Sequence, residues 1–123
     1  MAWIFDEKSP IYIQLAQRIK MKIISGQLTS GDQLPTVREL AEEVGVNPNT
    51  TQRAYKELEQ EGLVFTTRTS GRYVTENKSL LKDIRHDVAH TEIQSFVAKM
   101  KDFGFVEAEI LSKVKSYLGG DDS

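Results

Sequence analysis

The chain has 123 residues, of which 39% are hydrophobic and 28% charged, a composition typical of a globular domain rather than a disordered chain. No apolar run approaches the roughly 20 residues of a membrane span, and we expect no secretory signal in the acidic first ten residues. The absence of cysteine excludes disulfide and thiolate zinc sites, and we expect a cytoplasmic protein. The formal net charge is −2, so any basic surface must arise from local segregation of charge.

The first two predicted elements are helices. Residues 10–25 carry apolar side chains at helical spacing, and Gly26 is a natural end for that helix. After a turn rich in Ser, Gly and Asp, Thr36 and Glu39 match a capping box, in which each side chain binds the other residue's backbone N–H. The pattern therefore predicts a short second helix that ends at Gly45.

A third helix is predicted within the stretch GVNPNTTQRAYKELEQEGLV. Asn47 is a favoured N-cap residue, Pro48 suits the first helical position, and Gly62 ends the helix. Small polar side chains crowd its first turn, while the apolar ones follow behind. The predicted buried stripe consists of Thr51, Ala54, Tyr55 and Leu58.

A β-hairpin is predicted after the third helix. Residues 63–65 and 72–75 favour strands, and the intervening TTRTSG favours a turn. We expect Tyr73 to pack inward opposite Val64. Three helices followed by a hairpin, with a tight turn between the second and third helices, is the order of a winged helix-turn-helix.

Two further helices are predicted in the C-terminal third. A long helical pattern from Ser79 to Phe103 is interrupted at residues 91–92, and a second pattern follows Gly104, so we expect a helical hairpin with a frayed tail, GGDDS. Such a pair cannot bury both apolar faces internally, so a second copy of the chain is expected to cover them. The predicted dimerisation residues are Leu81, Ile84, Val88, Phe96, Val97, Met100, Ile110, Val114 and Tyr117.

The run GDQLPTVRELAEEVGVNPNTTQRAYKELEQEGLV resembles the DNA-binding domain of the GntR family of bacterial transcription regulators. The short two-helix end looks like the YtrA-type branch, which lacks a large effector domain. The resemblance covers the first 75 residues closely and the remainder by length and pattern. It implies a mainly α fold with a small β-hairpin, formed by a winged helix-turn-helix over 1–75 and a two-helix dimerisation segment over 76–123.

The expected DNA-binding residues come from three segments: the second helix, the first turns of the third helix and the hairpin tip, or wing. Asn and Gln side chains suit adenine, and Thr can contact a thymine methyl group or a phosphate. The family resemblance implies a DNA contact for Arg38 and a minor-groove position for the wing. The full set is Arg38, Asn47, Pro48, Asn49, Thr50, Gln52, Arg53, Arg68, Thr69, Ser70, Gly71 and Arg72.

The chain departs from the family pattern at four of these positions. Many members have Arg where this chain has Pro48 and Gln52, an acidic residue is common where Arg53 stands, and the wing often has Gly where Thr69 stands. The usual Arg-to-guanine contacts are therefore missing.

Structural alternatives exist for several of these residues. Asn47 could serve only as a helix cap, and Arg38 could pair with Glu42 four residues along the helix. His86 and His90 share a helix face, as two metal ligands would, but no third ligand is evident, so an exposed face is the favoured interpretation and no metal or cofactor is expected.

The favoured function is a sequence-specific DNA-binding transcription regulator. It is predicted to be a repressor that binds an inverted-repeat operator on double-stranded DNA as a homodimer, and the resemblance implies control of a transporter operon. The alternative is a winged-helix protein-interaction module that does not bind DNA, a role that the near-neutral charge supports. No catalytic constellation stands out, so we expect no enzyme. An unidentified small-molecule effector is allowed, and no membrane partner is expected.

Overall fold

The computed structural model describes residues 3–120, so that residues 121–123 of the predicted tail lie outside it. The chain forms two compact units that divide between Arg85 and His86. The elements of the described residues are α1 (Ile11–Ile24), α2 (Val37–Val44), α3 (Pro48–Gln60), β1 (Val64–Thr67), β2 (Gly71–Val74), α4 (Lys78–Asp102) and α5 (Glu107–Tyr117).

The core of the first unit lies where α1, α2, α3 and the hairpin meet. The predicted stripe of α3 is confirmed, since Thr51, Ala54, Tyr55 and Leu58 are all fully buried. Burial of apolar side chains such as Ala54 and Leu58 is the main favourable term in the folding of the unit. The buried stripe also determines which face of α3 points away from the core. Further buried side chains come from the other elements: Leu15, Ile19, Ile23, Leu40, Val44, Leu63, Val64 and Val74.

The ends of α2 and α3 form as their sequences predict. Thr36 Oγ1 accepts the N–H of Glu39 at 3.1 Å, and the Glu39 carboxylate accepts the N–H of Thr36 at 2.9 Å. The Thr36 backbone N–H, and after it the Thr36 side chain, favour the charged carboxylate and hold the pKa of Glu39 below its ordinary value. Gly45 ends α2 at a φ of 82°, a conformation that glycine adopts without steric cost. The turn into α3 can therefore be tight.

The hairpin register differs from the predicted one by a residue. Val64 pairs with Val74 and both are buried, whereas Tyr73 pairs with Phe65 and stacks against its ring at a centroid distance of 5.6 Å. The prediction that Tyr73 packs inward opposite Val64 is therefore wrong. The three-residue turn between Thr67 and Gly71 sets the register, and a slip of one residue exchanges the two faces of a strand.

The segment before α2 extends the sheet along β2. The N–H of Leu34 donates to the carbonyl oxygen of Arg72 at 2.8 Å, and the N–H of Val74 donates to that of Asp32 at 2.9 Å. The α1–α2 connection is thus tied to the hairpin by backbone hydrogen bonds, which fixes the wing relative to the start of α2.

The two C-terminal helices have long exposed surfaces. α4 runs unbroken through Thr91 and Glu92, so the interruption of the apolar pattern does not interrupt the helix. None of its residues is buried within the chain. Gly104 turns the chain into α5, whose first turn is closed by a bond from the Val106 N–H to the Glu109 carboxylate at 3.1 Å. None of the helices in residues 3–120 has the length and apolarity that crossing a lipid bilayer requires.

Candidate nucleic-acid interface

The first turn of α3 is open to solvent. Asn47 serves as the N-cap, because its Oδ1 accepts the N–H of Asn49 at 2.8 Å. Its amide nitrogen makes no hydrogen bond within residues 3–120, and neither do the exposed side chains of Asn49 and Gln52. Capping and recognition are therefore compatible at this end of the helix. Amide groups that are free in this way can read the edge of an adenine through two hydrogen bonds.

Arg38 lies beside this turn. A shallow groove of about 390 Å³ is lined by Arg38, Glu42, Gly45 and Pro48, so the guanidinium of α2 and the start of α3 border the same depression. Within residues 3–120, Arg38 makes no ion pair with Glu42 or with any other carboxylate. An exposed and unpaired guanidinium next to a recognition turn is suited to a backbone phosphate.

Arg53 is exposed on α3 and is positioned by an aromatic ring. Its guanidinium carbon lies 3.9 Å from the ring centroid of Tyr12 on α1. Stacking of this kind attracts the cation electrostatically and leaves the edge of the guanidinium free to donate hydrogen bonds. Tyr12 therefore positions a cation near the recognition turn, a role that its spacing along the sequence does not reveal.

The wing tip divides into exposed and internally bonded residues. Arg68 and Thr69 are exposed and make no side-chain bond to other residues of the described chain. Ser70 is held from two sides, since its carbonyl oxygen accepts Gln33 Nε2 at 2.6 Å and the Tyr73 hydroxyl at 3.2 Å. The wing is thus fixed by Ser70 and presents Arg68 at its tip.

Gly71 closes the wing under a steric limit. Its φ is +107°, and a Cβ added there would lie 3.3 Å from Gln33 Nε2. Both facts favour glycine at this position. The turn itself therefore favours glycine at this position, and a DNA contact by Gly71 stays a prediction.

Arg72 is held away from the tip. Its Nε lies 3.0 Å from Glu59 Oε1, and its guanidinium carbon lies 5.0 Å from the ring centroid of Tyr55. The side chain is only 21% exposed. Of the four predicted arginines, Arg38, Arg53 and Arg68 present exposed guanidinium groups, whereas Arg72 links the wing to α3.

Tyr55 joins α3 to the entrance of α2. Its hydroxyl donates to the carbonyl oxygen of Pro35 at 2.6 Å, and its ring is fully buried. Burial raises the pKa of this hydroxyl, a shift that the nearby charge of Arg72 partly opposes. The tyrosine therefore stays protonated and keeps the two helices of the motif in register.

The acidic residues of α3 and its C-cap lie at the far end of the helix, where two of them form ion pairs. Glu61 pairs with Lys20 at 2.8 Å, and Glu59 pairs with Arg72 while accepting the Thr66 hydroxyl at 2.8 Å. The negative charge of this helix therefore lies at the end opposite Asn47. This is the charge segregation that a nearly neutral chain needs in order to present a basic face.

The predicted dimerisation residues fall in different surroundings. Leu81 lines a cavity of the first unit, and Ile110 is buried within the second. Phe96 and Met100 of α4 line a groove with Val114 and Tyr117 of α5 and with Leu118, which caps α5, so the two helices run antiparallel. Tyr117 is 91% exposed. Ile84, Val88 and Val97 are half-buried on α4.

His86 and His90 are exposed on α4. Within residues 3–120, no group of three or more His, Cys, Asp or Glu side chains is placed to hold a metal ion.

An exposed recognition turn, a cationic wing tip and a tight helix-turn-helix define a winged-helix DNA-binding protein. Residues 11–74 match the family described as bacterial regulatory proteins, gntR family. The chain belongs to the GntR family, and it is a DNA-binding transcription regulator rather than an enzyme.

Two relatives from Bacillus subtilis mark its place within the family. The uncharacterized HTH-type transcriptional regulator YhcF is 35% identical over 116 residues, which cover 94% of this chain and 96% of that protein. The HTH-type transcriptional repressor YtrA is 49% identical over 69 residues, 56% of this chain and 53% of that protein. The resemblance to the YtrA-type branch is thereby confirmed.

Solved structures confirm the predicted fold class. A GntR family transcriptional regulator from Listeria monocytogenes aligns with a TM-score of 0.84 at 38% identity, covering 91% of this chain and 98% of that one. The DNA-binding domain of AraR, solved in complex with operator ORX1, aligns with a TM-score of 0.55 at 25% identity over 61% of this chain and 95% of that one.

Proposed function

We propose that this chain is a transcriptional repressor that binds an inverted-repeat operator as a homodimer. The observation that carries the proposal is the open first turn of α3, where Asn49 and Gln52 have free amide groups beside the unpaired Arg38. Amide side chains read base edges in the major groove, while the arginine binds a phosphate and fixes the register.

The wing adds a second contact. Arg68 is exposed at the tip, and the bonds to Ser70 hold that tip in place. Because the backbone of the hairpin is already held, only the Arg68 side chain has to be ordered when its guanidinium enters the narrow, negative minor groove. Each monomer would then contact one half-site through α3 and the adjacent minor groove through the wing.

Dimerisation is proposed to occur through α4 and α5. The groove of about 490 Å³ between them is almost entirely apolar, and Leu118 at its rim is 78% exposed. Contiguous apolar surface of this kind is usually covered by a partner. A second copy placed about a two-fold axis would bury the same residues on both chains and form a shared helical bundle.

The remaining parts of the proposal rest on the family. YtrA is named a repressor, which supports repression as the outcome of operator binding here. The YtrA-type resemblance favours a transporter operon as the target, and a regulator of bacterial genes acts in the cytoplasm.

Selection of bound sequences from a random duplex pool tests the proposal. The full-length chain is expected to enrich a consensus with two-fold symmetry, with half-sites about one helical turn apart, 10–10.5 base pairs. An asymmetric consensus would contradict the symmetric dimer. Failure to retain any DNA at low salt would instead favour the protein-interaction module.

A further inference from the structure

A second cavity, distinct from the recognition groove, lies between the C-terminal end of α1 and the first two turns of α4. Its volume is about 310 Å³, within the range of small-molecule sites. It shares no residue with the groove lined by Arg38 and Pro48. All of its lining residues belong to the first unit: Ile23, Ile24, Ser25, Gly26, Leu28, Thr29, Ser30, Lys78, Leu81, Lys82 and Arg85.

Three cations line one side of this cavity. These cations are Lys78, Lys82 and Arg85. Their spacing of i, i+4 and i+7 places the side chains on one face of α4. All three are exposed, and none forms an ion pair with another residue of the described chain. In a protein of net charge −2, three unpaired cations facing one cavity form a local site for an anion.

The opposite wall offers hydroxyl groups and an apolar floor. The hydroxyls of Thr29 and Ser30 make no hydrogen bond within residues 3–120, so they are free to donate to a ligand oxygen. Ile23 and Ile24 are buried beneath them, and Leu81 completes the apolar part from α4. The cavity therefore combines a charged rim with a floor that would bind a short hydrocarbon chain.

Two carboxylates of the loop and hinge beside this cavity do not line it. Asp32 Oδ2 accepts the N–H of Thr29 at 2.8 Å, and Glu76 lies against Gly31, where its Oε1 would be 3.0 Å from an added Cβ. Neither residue lines the cavity. The three cations consequently face the cavity without an internal counter-charge from these two groups.

We propose that this cavity binds a small organic anion, a phosphate monoester or carboxylate that carries a short apolar chain. The cations and hydroxyls bind the anionic head, and the isoleucines and Leu81 contact the chain. Because α1 packs against α3 in the core, an occupied cavity also offers a route for regulating DNA binding, and that consequence rests on the proposed function. The binding of the anion does not depend on the proposed function.

Isothermal titration of the full-length chain at low ionic strength tests the binding directly. Hexyl phosphate is expected to bind saturably, inorganic phosphate more weakly because it has no chain, and hexanol not at all. The double variant Lys82→Gln/Arg85→Gln should lose about tenfold in affinity per cation removed. The matched variant Lys99→Gln/Lys115→Gln, which removes the same charge from exposed positions outside the cavity, should bind as the unaltered chain does.

Three results would overturn the proposal. The first is the absence of saturable binding by hexyl phosphate. The second is equal affinity in the two double variants, with circular dichroism confirming that both are folded. The third is a loss of DNA affinity in Lys82→Gln/Arg85→Gln, without any added anion, as large as that of Arg38→Ala, because the cations would then contact DNA. If the chain binds hexyl phosphate but no DNA, the cavity proposal stands and the repressor proposal fails.

Discussion

The hydroxyl of Tyr55 donates a 2.6 Å hydrogen bond to the carbonyl oxygen of Pro35, which links the recognition helix to the entrance of α2. Tyr55→Phe keeps the buried ring and leaves this carbonyl oxygen without its donor. We expect the free energy of unfolding to fall by about 1 kcal/mol, as for other buried hydrogen bonds of this type. Urea denaturation measures the change, and unaltered stability of Tyr55→Phe would contradict the role of this hydrogen bond.

The buried hydroxyl of Tyr55 also predicts that the free energy of unfolding depends on pH in the alkaline range. Burial raises the pKa of Tyr55, so above the ordinary tyrosine value the unfolded chain loses the hydroxyl proton while the folded chain retains it. The stability that the hydroxyl contributes is present below that ordinary value and is lost as pH rises above it. The difference between the unaltered chain and Tyr55→Phe should therefore shrink with rising pH; a constant difference would contradict the assigned shift.

The two wing arginines are predicted to differ in role. Arg68→Ala should weaken DNA binding and leave stability unchanged, because its side chain is exposed and unpaired in the described structure. Arg72→Ala breaks a partly buried pair with Glu59 and should lower the free energy of unfolding by about 1 kcal/mol. Denaturation and DNA titration of both variants separate the roles. Equal stability of the two would contradict the assignment.

The helix ends of the first unit could be predicted from sequence, but the cross-links between elements could not. Thr36 and Gly45 act on backbone groups within a few residues, so their effects are readable locally. The hydrogen bond from Gln33 to Ser70 joins residues 37 positions apart, and no local sequence pattern predicts it.

In the candidate site, too, local features could be predicted from the sequence and contacts between distant residues could not. Exposure of Asn49 follows from the buried stripe on the opposite face of α3, which the sequence predicted. The inward position of the Arg72 side chain could not be predicted, because it depends on how the hairpin packs Arg72 against Glu59 and Tyr55 of α3. The predicted pairing of Tyr73 with Val64 was wrong for a similar reason. The length of the turn sets the register of the hairpin, and the register decides which face of each strand is buried.

The apolar groove of the C-terminal helices predicts the effect of a charge there. Leu118→Glu places a carboxylate at the exposed rim of the groove, where a monomer tolerates it and a dimer interface does not. We expect a folded monomer in analytical ultracentrifugation. Ser116→Glu adds the same charge on the same helix outside the groove and should leave the oligomeric state unchanged. Identical sedimentation of the two variants would contradict a dimer formed through this groove.

Asn49 is predicted to carry base preference. Its exposed amide makes no internal bond, so Asn49→Ala should leave the helix cap at Asn47 intact. We expect discrimination against single-base changes in the selected half-site to fall by about 1–3 kcal/mol at one base pair, with little change in non-specific binding. Competition titrations with a panel of substituted duplexes measure it. An unchanged preference at every position would exclude Asn49 as a base-reading residue.

Salt-dependent DNA titration of Arg38→Ala is the most direct test of the recognition surface. Without this guanidinium, one phosphate of the duplex keeps its counterions, so binding to every duplex should weaken alike. The negative slope of log affinity against log salt should become shallower by about 1. Lys99→Ala, an exposed cation on α4 outside the proposed surface, should match the unaltered chain in both quantities. Unchanged affinity and slope for Arg38→Ala would contradict the placement of DNA against α2 and the first turn of α3.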